Sequence, residues 1–176
     1  MSKATDVETQ ALDLAVLTVS DTRGEADDTS GAYLVESLLA AGHRLAEKVI
    51  VRDDIYDIRA VTSRWIADAG VDAILITGGT GFSGRDSTPE AVIPLFDKHI
   101  EGYGELFRHL SFQDIGSSTV QSRAVGGLAN DTVIFCMPGS TNACRTAWEG
   151  ILCEQLDSTC RPCNFVGVIR TRQSAH

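Results

Sequence analysis

The chain has 176 residues, 43% of them hydrophobic, and a net charge of −9 at pH 7. That is enough polypeptide for one domain with a core of its own, and so large an acid excess excludes nucleic acid as a partner, since no basic face exists to displace counterions from a phosphate backbone. No apolar run approaches the ~20 residues that cross a bilayer, so no membrane partner is expected.

Residues 1–13 are polar and mixed in charge, with no basic start and no apolar block behind it; they read as a mobile leader without a signal peptide, and the expected compartment is the cytoplasm. Leu14 to Val19 is an apolar, β-branched run, the first strand of a sheet buried on both faces. Ser20 and Asp21 follow at its carboxyl end, where they either face a ligand crevice or simply open a turn. The acidic loop Thr22 to Ser30 is placed to cap the next helix or to close over a site. Helical spacing of Leu34, Leu38 and Ala41 then runs to Gly42, a natural C′ residue.

Ala46 to Val51 reads as the second strand, followed by Asp53-Asp54 and a helix with Ile58, Val61 and Trp65 on one face. Two adjacent carboxylates after a strand are, by themselves, N-caps of the following helix. Ala73 to Ile76 is a third buried strand, and it breaks into glycines at 78, 79 and 81. Such a run removes the Cβ penalty for positive φ and lets several N–H groups point into one concavity, as a phosphate requires. Many glycine turns merely turn the chain, but Asp86 favours the anion reading: a carboxylate beside a phosphate cradle makes sense when it holds a divalent cation that bridges to the phosphate. Thr88, Pro89 and Glu90 supply an N-cap, a first-turn proline and a first-turn acid, so a helix begins there and continues through Val92, Leu95 and Phe96.

A further helix is predicted over 104–112. The Arg123 to Gly127 stretch pairs as a hairpin with the apolar run Asp131 to Met137, which makes the sheet mixed. Pro138-Gly139-Ser140 ends that run, with Ser140 as N-cap of a helix carrying Ala143, Ala147 and Ile151. The resulting organisation is a leader over 1–13, one domain over 14–157 and an irregular tail over 158–176. Of the five cysteines, Cys160 and Cys163 form a C-x-x-C with no second pair near it in sequence, which gives little support to a metal or redox role. Arg85, Arg108, Arg123 and Arg145 are available to a small phosphorylated ligand.

Five motifs in order, T-G-G-T-G (77–81), R-D-x-T-P-E (85–90), G-Y-G-E-L-F-R (102–108), S-R-A (122–124) and M-P-G-S (137–140), resemble the molybdenum cofactor biosynthesis proteins of the MoaB/MogA type, the family that includes the gephyrin G domain. The likeness spans about 14–162, and the T-V-S-D-T-R-G-E and R-P-C-N-F stretches look most like the MoaB branch. The resemblance implies an α/β fold, a three-layer α/β/α sandwich with a mostly parallel mixed sheet, assembled as a homotrimer or a homohexamer of two trimers. It implies molybdopterin binding and transfer of AMP from ATP to the pterin's terminal phosphate, with Mg2+ and release of pyrophosphate, and contact with other enzymes of the cofactor pathway.

On the matching positions, Asp53 and Asp86 are the two carboxylates of the reaction and the Mg2+ ligands, which replaces the capping role for Asp53. Gly78, Gly79, Thr80 and Gly81 match the phosphate- and pterin-contacting loop, Ser122 lies by the phosphate to be adenylylated, and Gly139 and Ser140 form the P-G turn. The other motif positions Thr77, Thr88, Pro89, Glu90, Arg123 and Pro138, with Ser20 and Asp21, complete the expected substrate-binding set. Some members of the MoaB branch lack the acid at position 53, so its retention favours a catalyst. The rival readings are a pterin carrier or scaffold without turnover, and a nucleotide-binding domain of unrelated purpose.

Overall fold

The computed structural model describes residues 9–173. Six strands, β1 (Asp13–Val19), β2 (Arg44–Val51), β3 (Ala73–Thr77), β4 (Lys98–His99), β5 (Val125–Ala129) and β6 (Thr132–Met137), form one sheet in the order β2-β1-β3-β6-β5-β4. The first four in that order run parallel, β5 is antiparallel to β6, and β4 is antiparallel to β5. The β5–β6 turn is made by Asn130 and Asp131, both at positive φ (48° and 60°), the geometry that matches the twist of a two-residue hairpin.

The helices are α1 (Thr29–Ala40), α2 (Ile55–Ala67), α3 (Thr88–Val92), α4 (Glu101–Ile115), α5 (Thr141–Ala147), α6 (Cys153–Gln155) and α7 (Val166–Gln173). Strand residues alternate between two cores, because successive side chains point to opposite faces. Leu14, Val16, Leu75 and Phe135 pack with Leu34 and Leu38 of α1, Phe107 of α4 and Ala147 of α5. Leu17, Ile74, Ile76 and Ile134 pack with Ile58 and Trp65 of α2 and Val92 of α3. The result is the expected three-layer α/β/α sandwich with a mostly parallel mixed sheet.

Four local expectations change. The helix at Thr88 ends at Val92 and tightens to a 3-10 turn over Ile93–Leu95, because Pro94 lacks an N–H and its ring collides with the carbonyl four residues back. The chain then extends through Phe96 into β4, a polar two-residue edge strand that carries no apolar pattern to find. The leader is not loose throughout: residues 1–8 lie outside the described residues, but the Gln10 N–H donates to Ser158 Oγ at 2.9 Å, the Leu12 N–H donates to His43 Nδ1 at 3.2 Å, and Leu12 is buried. The tail is not irregular either, since α7 buries Val166 and Ile169 in the first core and Phe165 meets Phe135 edge-on; only 174–176 fall outside the described residues.

Candidate functional site

Open α/β sheets bind ligands outside the carboxyl ends of their strands, where neighbouring connections leave in opposite directions. That point lies between β1 and β3: the chain after β1 enters α1 on one face, and the chain after β3 enters α3 on the other. The glycine loop sits across it. Gly78 (φ +104°) donates its N–H to Met137 O at 3.0 Å, and a Cβ there would stand 2.1 Å from Val19 O, so the loop rests on the ends of β1 and β6 as only glycine permits. Gly79 (φ +65°) follows, its Cβ position 2.4 Å from Thr88 Oγ1 and 2.7 Å from Asp53 Oδ2. Among the described residues, no backbone bond uses the N–H of Gly79, Thr80 or Gly81.

The loop borders an open crevice of about 460 Å3 lined by Ser20, Thr22, Arg23, Gly78 to Gly81, Asp86, Ser118, Gln121, Ser122, Pro138 and Gly139. Sequence motifs separated by over a hundred residues thus meet in one concavity. Both predicted carboxylates lie against the loop. Asp86 Oδ2 accepts from the Ser83 N–H at 2.8 Å and lies 2.9 Å from the Cβ position of Gly81. Asp53 Oδ1 accepts from the N–H and hydroxyl of Ser87, at 3.0 and 2.6 Å, fastening the end of β2 to the start of α3. The capping role falls to Asp54, which accepts from the Tyr56 and Asp57 N–H groups.

Asp21 does not line the crevice; its carboxylate accepts from Nε and Nη2 of Arg85, at 2.8 Å each. The Arg85 contact holds the Asp21 carboxyl below the usual carboxylate range. Ser20 turns its hydroxyl onto its own loop, accepting from the Thr22 and Arg23 N–H groups.

Other expected contacts stand behind the loop rather than in it. Thr77 is buried and its hydroxyl reaches Pro138 O and Cys144 Sγ; Thr88 donates to Gly78 O at 2.8 Å; Pro89 is buried in α3. Ser140 caps α5 by accepting from the Ala143 N–H. Arg123, expected to bind substrate, instead holds the loop's shape: Nε donates to Gly81 O (2.8 Å) and Thr80 O (3.3 Å), one terminal nitrogen donates to Asp86 O (2.9 Å), and the other pairs with Glu90. Arg108 donates to Ala124 O, and Arg145 lies beside Glu149. Burial pushes the Cys144 thiol up to about 11, which keeps it protonated and unsuited to act as a nucleophile.

Two residues gain importance from the structure. Ser122 Oγ is buried with no hydrogen-bond partner, at the wall shared by the main crevice, a groove of about 630 Å3 along β5 and α4, and a small cavity of about 100 Å3 under Pro138. Arg23 lines the crevice from the acidic loop after β1, which the sequence marks only as a segment placed to cap the next helix or to close over a site. Its signal was a basic residue standing alone in an acidic stretch. All five cysteines are unbridged, and no group of three or more His, Cys, Asp or Glu among the described residues forms a metal cluster.

Residues 15–158 match the family model described as "Probable molybdopterin binding domain". The chain is 60% identical over 152 residues to molybdenum cofactor biosynthesis protein B of Escherichia coli (strain K12), covering 86% of this chain and 89% of that one. Among solved structures it resembles a molybdenum cofactor biosynthesis protein B at TM-score 0.84 and 38% identity, covering 94% of this chain and 98% of the other. It also resembles the tungsten cofactor synthesizing protein MoaB from Pyrococcus furiosus at TM-score 0.75 and 36% identity, covering 82% and 92%.

Proposed function

The chain belongs to the molybdopterin-binding family of molybdenum cofactor biosynthesis, and from that premise we propose that it binds molybdopterin and ATP and transfers AMP to the pterin's terminal phosphate, releasing pyrophosphate. The observation that carries the reading is the glycine loop with two carboxylates, Asp53 and Asp86, set against it beside an open crevice. In the reaction an oxygen of the phosphate monoester attacks the α-phosphorus of ATP, the bond to pyrophosphate breaks, and no residue need act as a nucleophile. What the protein supplies is in-line positioning and charge neutralisation.

The donor set fits Mg2+ brought in with the nucleotide. Among the described residues Oδ2 of Asp53 takes no hydrogen bond, and Asp86 keeps Oδ1 similarly open, since Ser87 and Ser83 use the other oxygen of each. Two hard oxygens completed by substrate phosphates and water are a common Mg2+ environment, with no need for an all-protein cage. When bound, the ion neutralises charge on the triphosphate. The chain's own groups do the rest: Gly79 to Gly81 offer backbone N–H donors, and Ser122 offers an unengaged hydroxyl to the pterin phosphate.

The same reading assigns a homotrimer or homohexamer working in the cytoplasm alongside other enzymes of the pathway. It is supported by Phe112 and Val120, 60% and 75% exposed, apolar side chains on and just after α4 that a second copy would cover. Incubation with molybdopterin, ATP and Mg2+ should yield adenylyl-molybdopterin and pyrophosphate, and light scattering should report an oligomer at micromolar concentration. Pterin binding without product would leave the protein a carrier.

A further inference from the structure

Arg23 is the basic side chain lining the main crevice, and its guanidinium is only partly engaged. Nη1 uses both its hydrogens, donating to Ser30 Oγ and to Gly139 O at 2.7 Å each. Among the described residues, Nη2 and Nε have no hydrogen-bond partner, and no carboxylate stands within ion-pair distance. Its neighbours differ in this respect: Arg85 is paired with Asp21, and Arg123 is committed to Glu90 and loop carbonyls. In a chain of net charge −9, an unneutralised guanidinium facing a glycine loop is conspicuous, since acidic partners are plentiful.

The fork is also held in place. The Arg23 N–H donates to Ser20 Oγ at 3.1 Å, and Ser30, buried in the first turn of α1, is fixed to Gly139 O as well. A guanidinium oriented through one nitrogen, with a second nitrogen and Nε unengaged on a crevice-lining residue, has the donor pattern that grips two oxygens of one phosphoryl group. Arg23 also offsets Asp86, the acid lining the same crevice, which alone would repel an anion.

We propose that Arg23 is a phosphate-binding residue of this crevice, gripping through Nη2 and Nε a phosphoryl group of the bound substrate. The inference rests on the reading of the crevice as the phosphate site given above. The group comes either from the nucleotide's polyphosphate or from the phosphate monoester of the pterin. Pyrophosphate mimics the first and inorganic phosphate the second, so their titration separates the sources.

The test is calorimetric titration of the full-length protein and its Arg23→Ala, Arg23→Gln and Arg23→Lys variants with pyrophosphate and inorganic phosphate, each with and without Mg2+, and with adenosine as an uncharged control. The expected result is a loss of affinity on the order of tenfold or more in Arg23→Ala and Arg23→Gln for one phosphate probe, partial rescue in Arg23→Lys, and unchanged adenosine binding. Gln retains a donor for Gly139 O, so a merely structural Arg23 would leave that variant close to wild type for every probe. Unchanged phosphate affinity in Arg23→Ala overturns the proposal, as does an equal loss for adenosine, or a wild-type protein that binds neither phosphate probe. Adenylyl transfer is read separately from product: its absence alongside Arg23-dependent phosphate binding would sink the transfer reaction and leave this assignment standing.

Discussion

Replacing Asp53 separates two roles that its geometry combines. Oδ1 accepts from the Ser87 N–H and hydroxyl, and Oδ2 faces Gly79. Asp53→Asn keeps an amide oxygen for both Ser87 donors and removes the charge; Asp53→Ala removes everything. Hydrogen bonds to a charged group contribute ~1.5–3 kcal/mol each when well buried. Asp53 is only partly buried, so the alanine variant should lose ~2–3 kcal/mol in total. At ~2–4 °C per kcal/mol for a chain of this size, Tm falls by about 5–10 °C, whereas the asparagine variant, keeping two neutral bonds, falls by about 3 °C. Turnover behaves differently: both variants lose the same hard anionic oxygen, so both should slow on the order of a hundredfold, about 3 kcal/mol of barrier. Thermal unfolding and formation of adenylyl-molybdopterin over time are measured on each variant. An asparagine variant that adenylylates within a few-fold of wild type would refute the metal-ligand role and leave Asp53 a clamp between β2 and α3.

Gly78→Ala should cost about 2–5 kcal/mol, from left-handed backbone strain plus the collision with Val19 O, and denaturant unfolding at constant m-value checks it. Ser122→Ala removes a buried hydroxyl that has no partner, so its stability should match or exceed wild type, while molybdopterin affinity falls more than ATP affinity; equal losses for the two ligands would show the hydroxyl is not at the pterin phosphate. His43 accepts the Leu12 N–H at Nδ1, and burial, opposed by Asp157 and Asp72 and aided by Arg44, holds its pKa below the ordinary value. In the window between the folded value and about 6.5 the unfolded chain binds the proton and the native one does not, so this contribution is whole above about pH 6.5 and is lost as pH falls through the window. Denaturation midpoints taken from pH 8 to 5 should show that slope in wild type and a flatter one in His43→Gln.

The layer pattern was legible because its signal is local. Strands buried on both faces need continuous apolar runs, and β1, β3 and β6 have them; the Asn130-Asp131 hairpin has its own turn chemistry. What escaped depends on tertiary partners. The two-residue strand β4 exists because Lys98 and His99 find Leu128 and Gly127 across from them, and no pattern in two polar residues announces that. Likewise, α7 forms where Val166 and Ile169 meet the first core, in a stretch whose sequence shows too few turns to establish a period.

The site divides along the same line, and the arginines show why. Composition and motif make every arginine near a glycine loop look like a phosphate ligand, because the sequence reveals the charge but not what already neutralises it. Arg85, beside Asp86 in sequence, and Arg123, in the S-R-A motif, are the ones the structure engages with Asp21 and Glu90. Such pairing keeps a loop rich in positive-φ glycines in one shape: Gly81 has no side chain to pack, and Arg123 holds it and Thr80 through their carbonyls. Arg23, remote in sequence from the loop, comes beside it through Ser30 and Gly139, contacts across 7 and 116 residues. A guanidinium that satisfies carbonyls fixes the cradle and one that keeps donors open is able to fill it, so replacing Arg123 should disturb the loop for every ligand while replacing Arg23 should discriminate by charge.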